Sequence, residues 1–388
     1  MTQRAGPLAH LTVVEFAGLG PAPFAGMMLA DHGARVIRID RPAKPGAKGG
    51  TDGGMAALTA RRSDVLARGR ESIALDLKRP EARDAALRLV ERADVLLEGF
   101  RPGVMESLGL GPDECLRRQP RLVYGRVTGW GQTGPLAQAP GHDINYVALS
   151  GALHSCARPG QPPTITPGLI GDFGGGGMLL AFGVLAAVSH AQRTGQGQVV
   201  DAAICDGAAL LSSLVYGWRS AGLWNAEAGT NNGDGGAHFY DVYLCADGRH
   251  ISVGAMEPPF YAALRERCGL AHDPAFDAQW DARQWPALKQ RLAEVFLQKT
   301  RDEWCALLEG SDACFAPVLS LDEAPAHPHH RARGSFAQVE GITQPAPAPR
   351  FGATPAAPCQ PVREVGADSQ AILRELGLDA DAFGSPPR

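Results

Sequence analysis

Apolar runs alternate with amphipathic segments over the first 130 residues of the chain. Four short runs have the length and β-branched content of buried strands, residues 12–17, 35–40, 94–98 and 122–127. Segments with helical spacing separate them, and the segment at 80–93 begins with proline, as the first turn of a helix often does. Strands that alternate with helices predict an α/β fold with a parallel, doubly wound sheet.

The pattern changes after residue 150. The sequence GDFGGGG at 171–177 precedes a long apolar segment, which predicts a buried helix. From residue 239 an alternating stretch with an Asp-Gly turn predicts a β-hairpin, and residues 312–318 predict a returning strand. Helical spacing between these strands completes the pattern of a smaller α+β unit.

These patterns divide the chain into two domains. Residues 1–205 together with 330–388 are predicted to form the large domain, and residues 238–329 the small one. The segment 206–237 is rich in Gly and Asn and is interpreted as a linker. A chain of 388 residues is long enough for two cores without disulfides or metal.

Composition and charge exclude several classes of protein. The chain is 45% hydrophobic and 20% charged, as soluble proteins are, and its net charge of −4 argues against a nucleic-acid partner. The longest apolar segment, 177–188, is too short for a membrane span, and the N-terminus lacks a signal-peptide core. The eight cysteines form no CxxC pair, and the histidines between 327 and 330 lack the spacing of a metal site. We therefore predict a cytoplasmic protein with no membrane partner and no metal.

A basic segment lies beside the first glycine-rich loop. Residues 35–79 hold eleven Lys or Arg and five Asp or Glu, in a chain that is acidic overall. Such a segment suits a phosphorylated ligand, although a solvated basic surface would have the same composition. The loop Gly18–Gly20 begins like a dinucleotide-binding motif, but its third glycine is missing, and Arg38 and Arg41 flank the acid Asp40. This pattern argues against NAD.

Three segments concentrate acid–base residues among small, turn-forming neighbours. Asp172 precedes a glycine run and an apolar helix, so we predict that it caps that helix and that the amides of Gly174–Gly177 form an oxyanion site. His142 follows a loop glycine and is a candidate general acid or base, while Asp143 is interpreted as structural. Glu257 ends a strand before two prolines. Each residue also has an ordinary structural interpretation. Asp172 would be a plain helix cap, His142 a surface or hydrogen-bonded loop histidine, and Glu257 an exposed acid in a turn.

Ordered motifs cover nearly the whole chain. They run from VVEFAGLGP through SIALDLKRP, ADVLLEGFRPG, GHDINY and GDFGGGG to GAMEP in the predicted small domain. With these motifs the chain resembles the family III CoA-transferase superfamily and, within it, the α-methylacyl-CoA racemases. The resemblance implies an intertwined homodimer. Each chain would have a Rossmann-like large domain and a small α+β domain, with the active site where two chains meet.

The resemblance also implies roles for the acid–base residues. His142 in GHDINY and Asp172 in GDFGGGG match the residues that exchange protons on opposite sides of the acyl α-carbon. Glu257 in GAMEP matches a glutamate that pairs with this histidine, here across the dimer interface.

For the CoA part of the substrate, the resemblance points to two basic residues, Arg41 and Lys78. Leu75 and the backbone around Gly99 are expected at the adenine, and Arg101 is a further candidate contact. A separate difference concerns Ser107, which stands where some relatives carry a basic residue. This substitution bears on the affinity for CoA and not on the chemistry.

The implied function is that of a racemase or epimerase. It inverts the α-carbon of 2-methylacyl-CoA thioesters by removing and returning a proton through an enolate. CoA is carried as part of the substrate, and the reaction needs no metal, nicotinamide or flavin cofactor. The alternative is a CoA-transferase in which Asp172 forms an aspartyl anhydride, and the His142-Asp143 pair favours the racemase.

Overall fold

The structure is a computed structural model that describes residues 5–42, 63–379 and 383. The chain forms two compact units. The first unit comprises Met1–Ser150, Thr166–Leu211 and Pro328–Arg388, and the second comprises Gly151–Ile165 and Ser212–His327.

Six parallel strands form the main sheet of the first unit, in the order β3-β2-β1-β4-β5-β6. They are β1 (Thr12–Phe16), β2 (Arg35–Asp40), β3 (Arg70–Ala74), β4 (Val95–Glu98), β5 (Val123–Thr128) and β6 (Gln198–Ala203). The predicted α/β class is confirmed, and the four predicted strands agree with the structure to within one residue at each end. The sequence analysis missed β3, which begins with two charged residues and a serine, and β6, which is largely exposed.

Helices cover both faces of this sheet because neighbouring residues of a strand point to opposite sides. The helices of the first unit are α1 (Pro21–Asp31), α2 (Pro80–Val90), α3 (Val104–Ser107), α4 (Pro112–Arg118), α5 (Asp143–Leu149), α6 (Leu179–Thr194), α7 (Ile204–Leu211), α12 (Pro328–Arg333) and α13 (Ser369–Glu375). Val13 packs in the core that contains residues of α1 and α6, whereas Val14 packs with residues of α2 and α13. A hairpin of β10 (Phe336–Val339) and β11 (Ile342–Pro345) lies outside the main sheet.

The apolar helix after the glycine run is longer than the sequence analysis predicted. It begins as a π-helix, Leu169–Met178, and continues as α6, so that 26 residues are helical without a break. This helix is long and apolar enough to cross a membrane. The core helix of a soluble protein can have the same length and composition. Six residues of α6 are buried within the first unit. The cytoplasmic location stays a prediction.

The second unit has a three-stranded antiparallel sheet in the order β7-β8-β9. Its elements are β7 (Tyr240–Leu244), β8 (His250–Gly254), β9 (Phe315–Pro317), α8 (Ser213–Ser220), α9 (Pro258–Arg267), α10 (Trp285–Phe296) and α11 (Arg301–Leu308). The predicted hairpin and returning strand are both present. Aromatic side chains such as Phe239, Phe276 and Trp304 dominate the core.

The boundaries of the two units differ from the predicted domains in two places. Residues 206–237, interpreted as a linker, contain most of α7 and all of α8, whose apolar spacing was obscured by the neighbouring Gly and Asn. Residues 151–165 belong to the second unit, where Arg158 forms an ion pair of 2.6 Å with the buried Asp241. That partner lies 83 positions along the chain, so local sequence could not reveal it.

Candidate active site

A cavity of about 780 Å³ opens at the carboxyl ends of β1, β2, β3 and β4. Ligands of open parallel sheets bind at this edge, where the strand order reverses, as it does here beside β1. Its lining residues are Phe16, Ala17, Gly18, Leu19, Ile39, Asp40, Arg41, Leu75, Asp76, Leu77, Lys78, Phe100, Val104 and Leu108. The walls are mainly apolar, and the two cations are exposed. This combination suits a ligand with a flat ring and phosphates.

The residues predicted to bind CoA lie at or beside this cavity. Arg41, Leu75 and Lys78 line it directly. Gly99 and Arg101 are exposed and flank Phe100, which is also part of the lining. Five positions spread over 61 residues of sequence thus come to one edge of the sheet.

The acid at the end of β2 has its carboxylate engaged. Asp40 is buried, accepts a hydrogen bond of 2.6 Å from Ser72 Oγ, and lies 3.1 Å from Nε of Arg38. In dinucleotide-binding folds an acid at this place accepts hydrogen bonds from a ribose. Both oxygens of this carboxylate thus already have neighbours within the sheet.

Glu98 anchors the loop that follows β4. Its fully buried carboxylate accepts 2.8 Å from the backbone N–H of Phe100 and 2.7 Å from Nε of Arg126. Arg126 also binds Glu106 on α3, so one guanidinium connects the loop to the helix beside the cavity. The sequence analysis missed Glu98, although a charged residue at the end of an apolar strand was a usable signal.

Asp172 lies inside the helix and not at its cap, which corrects the prediction. Gly168 occupies the N-cap, in the left-handed region at φ 69°, and Asp172 is in the first turn of the π-helix. Burial, together with the nearby Asp143 carboxylate, raises the pKa of Asp172 to about 6, while His142 acts in the opposite direction. A carboxyl of this kind is a stronger base than an ordinary aspartate and is ionised at neutral pH.

The glycine run does not provide the predicted oxyanion site. In a π-helix the N–H of each residue bonds to the carbonyl five positions earlier, so the amides of Gly174–Gly177 are used within the helix. The last three of these glycines are buried instead against neighbouring elements. A Cβ on Gly175 would lie 2.7 Å from the backbone N of Ala208, so the run serves close helix packing.

The loop after β1 connects Asp172 with the cavity. Gly20 caps α1 at φ 68°, and a Cβ added there would lie 3.1 Å from Oδ2 of Asp172. Gly18 and Leu19 of the same loop line the cavity. The same loop therefore borders both the cavity and the Asp172 carboxylate.

His142 shares the electrostatic environment of Asp172. It is the exposed N-cap of α5, where its backbone N–H donates 3.0 Å to Oδ1 of Asn145. Asp143, the next residue, accepts 2.8 Å from the backbone N–H of Asp172. The structure thus brings together two predicted acid–base residues that are 30 positions apart. Glu257 lies in the second unit, exposed, as the N-cap of α9.

The chain is similar to known proteins in sequence and in fold. The chain is 43% identical over 376 residues to the alpha-methylacyl-CoA racemase of Mus musculus, with 96% of this chain and 94% of that protein covered. It is also 43% identical over 380 residues to the alpha-methylacyl-CoA racemase of Homo sapiens, with the same coverage. A CAIB/BAIF family protein from Brucella suis has a similar fold, with a TM-score of 0.80 over 96% of this chain and all of that chain, at 24% identity.

The fold and the site define an α/β protein with a cavity at the carboxyl edge of its sheet and with Asp172, near His142, beside the loop that borders this cavity. Residues 8–369 match the profile of CoA-transferase family III. The chain belongs to that family.

Proposed function

We propose that this chain is a racemase or epimerase that inverts the α-carbon of 2-methylacyl-CoA thioesters. The observation that carries the proposal is Asp172, a half-buried carboxyl with a pKa of about 6 that lies near His142 and beside the cavity loop. Two mammalian relatives at 43% identity are named as racemases of this kind. An α-proton next to a thioester is only weakly acidic, so a base stronger than an ordinary aspartate is an advantage.

The cavity accounts for the CoA part of the substrate. Arg41 and Lys78 are exposed at its mouth and suit the phosphates, and Leu75 belongs to the apolar wall that suits the adenine. The backbone at Gly99, fixed through Glu98, and Arg101 complete the proposed contacts. CoA enters as part of the substrate, and the proton transfers need no further cofactor.

In the proposed mechanism Asp172 and His142 exchange roles between the two enantiomers. For one enantiomer, ionised Asp172 takes the α-proton, and the electrons of the C–H bond move to the thioester oxygen as an enolate. Protonated His142 then donates its proton to the opposite face of the carbon. The product has inverted configuration, Asp172 is protonated and His142 is neutral. General acid–base catalysis of this kind contributes about 10²- to 10⁴-fold.

We further propose that two copies of the chain pair and that Glu257 orients His142 across their interface. The support is an exposed apolar row along one helix, Leu169, Met178, Phe182 and Leu185, of which Phe182 is 71% exposed. A soluble chain rarely leaves such a row uncovered. Glu257 would stabilise the charged form of His142, as a nearby carboxylate does.

The test is hydrogen exchange during inversion. The full chain is incubated with one enantiomer of a 2-methylacyl-CoA in deuterated water, without acceptor acid, and the α-proton and optical form are followed. We expect deuterium incorporation with inversion. Asp172→Ala should lose it while binding the CoA ester within a few-fold, whereas Asp113→Ala, an exposed first-turn acid of α4, should retain it. Full turnover by Asp172→Ala would exclude the mechanism.

A CoA-transferase is the second candidate function, because the carboxyl of Asp172 could instead attack the thioester and form a mixed anhydride. The proximity of His142 to Asp172 favours the racemase, since a transferase has no use for a second proton donor. The same incubation decides between them. CoA transfer that starts only when a free carboxylic acid is added, without exchange at the α-carbon, would establish the transferase.

Arg41→Ala tests the assignment of the cavity. Loss of one charge-assisted hydrogen bond to a phosphate should raise the KM for the CoA ester about tenfold, with kcat within about twofold. Arg88→Ala, on the exposed face of α2, is the matched control and should change neither constant. A fall in kcat alone would show that Arg41 is not a CoA contact.

A further inference from the structure

Asp143 makes a contact that its position does not require. It occupies the first turn of α5, where an aspartate ordinarily interacts with the amides of its own helix. Its Oδ1 instead accepts a hydrogen bond of 2.8 Å from the backbone N–H of Asp172, 29 residues further along the chain. The bond therefore joins two elements and does not cap one.

The atoms around this hydrogen bond are closely packed. A Cβ added to Gly171 would lie 2.2 Å from Oδ1 of Asp143 and 2.8 Å from a methyl group of Val147. Glycine at 171 thus allows the backbone of the π-helix to press directly against the carboxylate. The side chain of Asp143 therefore packs against Gly171 and accepts a hydrogen bond from the amide of Asp172.

We propose that Asp143 is a positioning residue for the proton transfer, which fixes the spacing between Asp172 and His142. His142 is the N-cap of α5 and Asp143 is its next residue, so the helix start that presents the histidine also grips the backbone that carries the aspartate. This inference rests on the proposed racemase function. The role of Asp143 is additional to that function, because Asp143 touches neither the acyl group nor CoA in the proposed mechanism.

The same carboxylate affects the basicity of Asp172. The titratable groups that interact with the Asp172 carboxyl are His142, Asp143 and Tyr146, all at or within α5. The hydroxyl of Tyr146 in turn interacts with the charges of Arg101 and Cys205. Asp143 raises the pKa of Asp172 through like-charge repulsion, and His142 lowers it. Asp143 therefore adds to the effect of burial, and removing its charge should make Asp172 a weaker base.

Two substitutions separate position from charge. Asp143→Asn keeps an oxygen that can accept from the Asp172 amide but removes the charge, and Asp143→Ala removes both. We expect Asp143→Asn to move the acidic limb of the kcat profile downward by about one pH unit and to lower kcat about tenfold at neutral pH. Asp143→Ala should lower kcat about 10²-fold through misplacement, and both variants should keep the KM for the CoA ester within about twofold.

The control is Asp113→Asn, an exposed acid in the first turn of α4, which should leave the profile unchanged. A second measurement does not depend on turnover. The carboxyl of Asp172 is titrated by NMR in the ¹³C-Asp-labelled full chain, with its signal assigned by Asp172→Asn. The Asp172 midpoint should fall in Asp143→Asn, whether or not the wild type proves to be a racemase.

An unchanged Asp172 midpoint in Asp143→Asn, or wild-type kcat in Asp143→Ala, would overturn the inference. Equal losses in kcat and in affinity for the CoA ester, accompanied by a lower Tm in both variants, would also overturn it, because they indicate a general role in folding. If the wild type does not exchange the α-proton but the NMR midpoint shifts as expected, the positioning contact stands and the proposed function fails.

Discussion

Two of the carboxylates that the first unit removes from water have opposite partners. In the middle of the sheet, Glu15 on β1 lies 3.0 Å from Nε of Arg70 on β3, and both side chains are fully buried. At the start of the π-helix, Asp172 is half-buried beside another carboxylate, that of Asp143. One site compensates the buried charge and the other adds to it.

The difference lies in the charge of the nearest partner, which is a cation at Glu15 and a second acid at Asp172. Gly26 on α1 makes space for the first pair, since a Cβ there would lie 2.1 Å from Oε2 of Glu15. The guanidinium of Arg70 also donates to the backbone carbonyls of Arg68 and Pro23, so its charge is well satisfied. Burial raises the pKa of both carboxyls, but the nearest charged partner acts in opposite directions at the two sites. The guanidinium of Arg70 lowers the pKa of Glu15, whereas the carboxylate of Asp143 raises that of Asp172 further.

The largest expected effect comes from breaking the compensated pair. Arg70→Met would leave Glu15 as an unpaired buried charge, and the free energy of unfolding should fall by about 3–5 kcal/mol. Denaturant unfolding followed by circular dichroism measures this. Arg117→Met, whose arginine is 68% exposed, should change it by less than about 0.5 kcal/mol.

The double variant Glu15→Leu with Arg70→Met sharpens the same comparison. Removing both charges should recover most of the loss, because no buried group is then left unpaired. A double variant as unstable as Arg70→Met alone would mean that shape, and not charge, explains the loss.

The second unit offers a buried base without a charged partner. His238 is fully buried and hydrogen-bonded to the hydroxyl of Tyr261, at 2.7 Å. Burial, with a smaller contribution from Lys289, lowers the pKa of His238 to about 4, from an ordinary 6.5. The unfolded chain thus binds a proton at higher pH than the folded one. The contribution of His238 to the free energy of unfolding is complete above pH 6.5 and falls by about 3 kcal/mol as the pH drops towards 4.

Tryptophan fluorescence measures this effect in the second unit, which holds five of the six tryptophans. His238→Gln should flatten the dependence of stability on pH between 6.5 and 4. The same slope in His238→Gln and the wild type would assign the acid sensitivity to another group.

The smallest expected effect has the opposite sign. Because the pKa of Asp172 is raised from 3.8 to about 6, its ionised form costs stability above pH 6. Asp172→Asn should therefore stabilise the chain at pH 7 by about 1–2 kcal/mol, a value reduced for partial solvent access. The gain should vanish below pH 4, where the wild type is protonated in both states. Thermal unfolding at pH 7 and pH 3.5 checks it, and a loss of stability at pH 7 would contradict it.

The positions of the main strands could be predicted because they depend on local patterns. Runs such as 35–40 are apolar enough to be strands wherever they pack, and the alternation of strands and helices leads to a parallel sheet. The strand Arg70–Ala74 was missed because its two charged residues, Arg70 and Glu71, pair with charged residues of other strands. A pattern of polarity contains no information about such partners.

The sequence by itself determined the α/β class, the glycine-rich loops and the motifs that carry His142 and Asp172. The tertiary structure alone decided which carboxylates are paired with a cation and which with another acid. Asp143 looks structural within GHDINY, and only the tertiary structure shows its contact with a backbone amide 29 residues away. Hydrophobic periodicity acts over one or two turns, whereas the pKa of a carboxyl depends on distances of a few ångströms that only packing fixes.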